Sequence, residues 1–155
     1  MSGWISVIPG KPCPTLQVMI MPFKFDSVQA ASKALRRGEM VVLVDDEKRE
    51  NEGDIVLAAS KASGKKLNFM VREGRGLVCV PITKEKAQQL DLPKMTSQRD
   101  RFDTPFTVSV DAAKAGTGVS VEDRLLTIKT ILNPRSRPES LHRPGHVFPL
   151  VAREG

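Results

Sequence analysis

Apolar residues along the chain switch between two periods, and the switches mark out its elements. Val28, Ala31, Ala34 and Leu35 recur at helical spacing. Asp26 stands ahead of them as an N-cap with Gln29 as its capping-box partner, and Gly38 supplies a stop. Residues 40–44 are apolar without interruption, which predicts a strand buried on both faces. Residues 55–59 predict a second strand. A helix over 65–72 ends near Gly74, and residues 76–81 predict a third strand. Thr83 opens a helix through Leu90, and residues 91–105 are polar enough to form a long, mobile loop. Phe106, Val108 and Val110 alternate with Thr107, Ser109 and Asp111, the period of a strand. Ser120 and Asp123 form a capping box for a helix that runs to about Leu132. Strands interleaved with helices predict an α/β or α+β domain built on a sheet.

Residues 1–22, with Pro9, Gly10, Pro12 and Pro14, read as an irregular leader, and residues 23–155 as one domain. The apolar stretch 16–23 is too short to cross a bilayer, and no basic segment precedes it. The expected location is cytoplasmic, with no membrane partner. A net charge of +6 permits contact with anions. The basic residues are scattered, however, and with no Tyr and one Trp the chain lacks an aromatic and basic platform for bases. No nucleic-acid partner is expected. Cys13 and Cys79 belong to no CxxC pattern, so neither zinc nor a disulfide framework is indicated, and Cys79 reads as a buried small apolar residue.

Three segments carry chemistry. Residues 45–54 hold six carboxylates, a third of all Asp and Glu in a chain that is basic as a whole. Acid at this density repels itself, and a hard divalent cation or a substrate that exchanges protons relieves the repulsion. A solvated hairpin loop is the plainer alternative. Gly53 would let the backbone turn before Asp54 enters the next strand. Residues 116–124 lead small residues into a helix start, where free N–H groups can hold a phosphate, or simply form a capped helix. Residues 143–150 place His146 among Pro144, Gly145 and Pro149, a rigid setting that suits a positioned proton-transfer group. His142 lacks such a frame and reads as a surface residue.

These blocks, in this order, resemble 3,4-dihydroxy-2-butanone 4-phosphate synthases. The resemblance rests on Asp45-Asp46-Glu47-x-Arg49-Glu50-Asn51-Glu52-Gly53-Asp54, Asn68-Phe69-Met70, Arg75-Gly76-Leu77-Val78-Cys79 and Phe106-Thr107-Val108-Ser109-Val110-Asp111. It continues through Thr117-Gly118-x-Ser120-x-x-Asp123-Arg124 and Arg143-Pro144-Gly145-His146-Val147-Phe148-Pro149-Leu150, and covers about residues 25 to 155. It implies a mixed twisted sheet with helices on both faces in three layers. It also implies a lyase of riboflavin biosynthesis that converts D-ribulose 5-phosphate into formate and 3,4-dihydroxy-2-butanone 4-phosphate. By the same resemblance the enzyme uses Mg2+ or Mn2+ and works as a homodimer. Glu50 would be a metal ligand, and Arg49, Glu50, Asp54 and Thr117 would contact the sugar phosphate. His146 and Asp54 would be catalytic.

Two departures from the family pattern set further expectations. Gly116 stands where the family usually has a second Thr before Thr117. The family also continues beyond the equivalent of Gly155 with a second metal-binding His and a catalytic Glu, so a C-terminally shortened domain with weaker metal affinity is expected. The alternative to a synthase is a silent homologue that binds sugar phosphate or pairs with a full-length partner.

Overall fold

The computed structural model describes residues 25–45, 48, 50–97 and 104–153. The expected leader and residues 98–103 of the long polar loop lie outside these. The first helix, α1 (Val28–Arg37), is capped by Ser27, whose hydroxyl accepts from the Ala30 N–H at 3.2 Å, rather than by Asp26. The hydroxyl at 27 sits one helical turn ahead of that donor, which is the spacing a cap requires. Gly38 ends the helix in the left-handed region at φ +81°.

Strands β1 (Val41–Val44) and β2 (Gly53–Val56) pair antiparallel, Val41 against Val56 and Val44 against Gly53. β1 was expected to be buried on both faces, yet Val42 is 64% exposed, Leu43 50% and Val44 52%. An all-apolar run reports that a strand can be covered, not that it is. Among the described residues β2 is its only ladder partner, and α1 packs against it lightly.

Helix α2 (Gly64–Gly74) starts on a Ser63 cap and ends on Arg75, which takes the left-handed φ of +54° and is exposed. The short β3 (Cys79–Ile82) leads into α3 (Lys84–Gln89), capped as expected by Thr83. β4 is only Val110–Ala112, α4 spans Val121–Leu132, and β5 spans Leu141–Val151. β5 lies between its neighbours, parallel to β3 and antiparallel to β4. The fold is therefore α+β with mixed pairing, and among the described residues the strands form two ladders of two and three strands.

The core sits where α4 packs on β4 and β5, with α2 against α4. It gathers Leu67, Val80, Ile82, Ala87, Leu90, Leu92, Val110, Ile128, Ile131, Leu141 and Val147. Thr127, fully buried on α4, donates to the Asp123 carbonyl at 2.9 Å and accepts from the Ala112 N–H at 2.8 Å. One hydroxyl thus ties α4 to β4 and leaves no orphaned polar group at the seam.

Candidate active site

β5 is the element the residue pattern hid. Pro144, Gly145 and Pro149 are strand breakers, and the segment reads as an irregular rigid path. It is instead the longest strand in the described residues. It accommodates the breakers by leaving the ladder at one place: Val110 opposes Val147, but Asp111 opposes His142, so residues 143–146 have no partner in β4. The peptide between Arg143 and Pro144 within this bulge is cis. Bulges re-aim side chains and strip the backbone of its ladder bonds, so the freed N–H groups need other acceptors.

Strand β4 and the residues before it supply them. Thr107, Ser109 and Asp111 are all buried, and all turn toward β5. Thr107 donates its backbone N–H and its hydroxyl to the Pro149 carbonyl, at 3.0 and 3.1 Å. The Ser109 hydroxyl accepts from the Gly145 N–H at 3.1 Å. Asp111 Oδ1 accepts from the His146 N–H at 2.9 Å. Its other oxygen, Oδ2, lies 2.8 Å from Nδ1 of the same histidine. The alternating polar residues of this segment therefore bond to β5 rather than face solvent, Ser109 and Asp111 at the bulge and Thr107 beyond it. Arg143 holds the other side, with Nη2 donating to the Leu90 carbonyl at 2.5 Å and Nη1 to those of Pro138 and Leu141, each at 3.2 Å. Its guanidinium is spent on carbonyls.

Gly118 closes over the pair. With φ at +81° it sits so near that a Cβ there would lie 2.0 Å from Asp111 Oδ2 and 2.7 Å from His146 Nδ1. Only glycine allows the backbone this close. Thr117, the preceding residue, is exposed at the edge of the same cluster. Of the N–H groups in residues 116–124 considered as a phosphate cradle, those of Gly116, Gly118 and Asp123 are taken within the segment. The Asp123 carboxylate accepts from the Gly116 and Gly118 N–H groups at 3.0 and 3.2 Å, and the Ser120 hydroxyl takes the Asp123 N–H at 3.0 Å. The Gly116 bond, with help from Ser120 and Gly118, holds the Asp123 carboxyl below its ordinary range.

The acidic segment is the tip of the β1–β2 hairpin. Arg49, Asp46 and Glu47 lie outside the described residues, so the expected Arg49 contact is not placed. Asp45 organises the tip: Oδ2 accepts from the Glu50 N–H and Oδ1 from the Glu52 N–H, both at 3.0 Å. The turn uses Asn51 at φ +52°, and Gly53, expected to make it, is the first residue of β2. Glu50 is half-buried and Asp54 exposed.

One link runs from this hairpin toward His146. Although Cys79 is exposed as a residue, partial desolvation of its thiol by the packed neighbours, together with the Asp54 charge, pushes the thiol up. Cys79 is opposite Phe148 in the β3–β5 register, and His146 lies two residues before Phe148. Cys79 itself is exposed, not buried as expected. Asp54 itself belongs to β2, and its charge is felt at Cys79, the first residue of the strand beside β5. His142 is exposed, as expected of a surface residue.

A half-exposed imidazole held by a buried carboxylate, on the central strand of the three-stranded ladder of an α+β fold, is an arrangement suited to proton transfer. The model of the 3,4-dihydroxy-2-butanone 4-phosphate synthase family matches residues 29–155, and the chain belongs to that family. The riboflavin biosynthesis protein RibBA of Staphylococcus haemolyticus is 48% identical over 132 residues, 84% of this chain and 34% of that protein. The 3,4-dihydroxy-2-butanone 4-phosphate synthase of Helicobacter hepaticus is 48% identical over 129 residues, 83% of this chain and 36% of its own length. A crystal structure of a 3,4-dihydroxy-2-butanone 4-phosphate synthase in complex with two magnesium ions superposes with a TM-score of 0.80 at 42% identity, over 84% of this chain and 62% of that one. The chain therefore spans about a third of the curated relatives' length and under two thirds of the solved one.

Proposed function

We propose that this chain carries the site that converts D-ribulose 5-phosphate into 3,4-dihydroxy-2-butanone 4-phosphate and formate, a carbon–carbon lyase reaction of riboflavin biosynthesis. What supports this reading is the convergence of three separate family blocks, at residues 106–111, 117–124 and 143–150, on the single grip around His146. The reaction removes and returns protons at sugar carbons, and the exposed edge of the His146 ring serves as the proton carrier. Asp54 acts beside it, with Arg49, Glu50 and Thr117 as contacts to the sugar phosphate.

Among the described residues no three His, Cys, Asp or Glu gather around one point. A hard divalent ion, Mg2+ or Mn2+, would rest on the Glu50 carboxylate with water completing its shell, a mode of binding Mg2+ commonly adopts. When bound, such an ion offsets the negative charge that develops on enediolate oxygens. The working unit is a homodimer in the cytoplasm. No helix among the described residues is long and apolar enough to cross a membrane.

Formate release from D-ribulose 5-phosphate with Mg2+ tests the reading. The wild-type chain should release formate, and Glu50→Ala should lower the rate at least about 100-fold. Folded wild-type protein that releases none would overturn the proposal.

A further inference from the structure

The grip on His146 has a consequence for which ring nitrogen does the work. We infer that Asp111 is a positioning residue that fixes His146 with its proton on Nδ1 and presents Nε2 to the reacting sugar. The inference rests on the proposed function for its substrate, but its geometry stands alone.

Both Asp111 oxygens are committed to one residue, Oδ1 to the backbone N–H and Oδ2 to ring Nδ1. Holding a side chain at its root and at its ring leaves no freedom about either torsion, so the ring plane is set. The two partners differ in exposure: the Asp111 side chain is 12% exposed and that of His146 45%. The Nδ1 edge thus lies inside with the carboxylate, and the rest of the ring faces out. Gly118 seals the inner edge, since the space where its Cβ would stand is already filled by the pair. Water therefore has little access to the Nδ1 bond. Nε2, on the outward side, has no hydrogen-bond partner among the described residues.

A carboxylate can only accept, so the shared proton belongs to Nδ1 when the ring is neutral. The lone pair then sits on Nε2, the outward nitrogen, as a base requires. Two acidic groups sit at the cluster, Asp111 itself and Asp123, which reaches it through the Gly116 and Gly118 amides. Both are acidic and both favour a donor, not an acceptor, on the inner edge. A purely structural hydrogen bond would fix the ring without requiring the open nitrogen to face solvent.

Long-range 15N–1H correlation of the imidazole reads the tautomer directly. The chain has two histidines, so His142→Gln leaves the His146 ring as the only signal. At a pH where the ring is neutral, the protein should show the Nδ1–H form. Asp111→Asn can donate to Nδ1, and should switch the ring to the Nε2–H form while the amide spectrum stays dispersed. In formate release the same variant should lose kcat by about 10²- to 10⁴-fold with KM little changed. Nε2–H in the unsubstituted protein, or Nδ1–H retained in a folded Asp111→Asn, would overturn the inference. If Asp111→Asn does not fold, the unsubstituted ring still decides it. Absence of formate release leaves the tautomer result intact, so the failure of the proposed reaction and the failure of this inference can be told apart.

Discussion

Gly145→Ala should strongly destabilise the three-stranded ladder around the site. A Cβ at 145 would lie 2.0 Å from the Val110 carbonyl carbon, 2.2 Å from the Asp111 nitrogen and 2.4 Å from the Val110 oxygen. All three are backbone atoms of β4, and no rotamer can move them aside. Relief requires the bulge of β5 to lift off β4, which breaks the Ser109 bond to Gly145 and both Asp111 bonds to His146. Overpacking typically costs 1–3 kcal/mol, and a clash confined to backbone belongs at or above the top of that range, about 3 kcal/mol. Against a total stability of roughly 5–15 kcal/mol this is a large loss. Gly64→Ala is the matched control, because nothing stands within 4 Å of a Cβ there. Urea unfolding should show the midpoint drop sharply for Gly145→Ala and hold for Gly64→Ala. Equal midpoints would mean that the bulge is not seated against β4 as described.

His146→Gln should have the opposite profile, with stability nearly kept and turnover lost. The ring is half-exposed and fills no core space, so its replacement leaves the buried cluster intact. The backbone N–H bond to Asp111 survives, since it does not depend on the side chain. Glutamine cannot exchange a proton near neutral pH, and the loss of a positioned proton carrier costs about 10²- to 10⁴-fold. The measurement is kcat for formate release beside thermal unfolding of the same preparation. A variant that keeps most of its turnover would remove His146 from the chemistry.

Helix starts were the most legible features, because a cap is a local event. Thr83 and Ser120 each bond the N–H three residues on, as their spacing implies. Asp26 misled because Ser27, one residue later, is an equally good acceptor, and only the chain path decides between them. β5 was illegible for a different reason. Pro144, Gly145 and Pro149 disfavour a ladder, and what permits the strand is a set of partners 35 to 42 residues away, in Ser109, Asp111 and Thr107. The same distance hid Asp111, the site residue that reading along the chain passed over. Its one signal was that three polar residues alternated in a segment with no need to face water. The exposure of β1 was likewise beyond local pattern, since coverage is a property of neighbours.

Central to the proposed function is that the acidic hairpin and His146 serve one site, with the Asp54 charge felt at Cys79 as one thread between them. Mn2+ broadens proton resonances close to where it binds, and His142→Gln leaves His146 as the single imidazole in the spectrum. With Mn2+ added, the His146 ring protons and the Glu50 and Glu52 amides should broaden together, and Glu50→Gln should restore them all. Broadened hairpin amides beside a sharp His146 ring, or no broadening anywhere, would contradict the account.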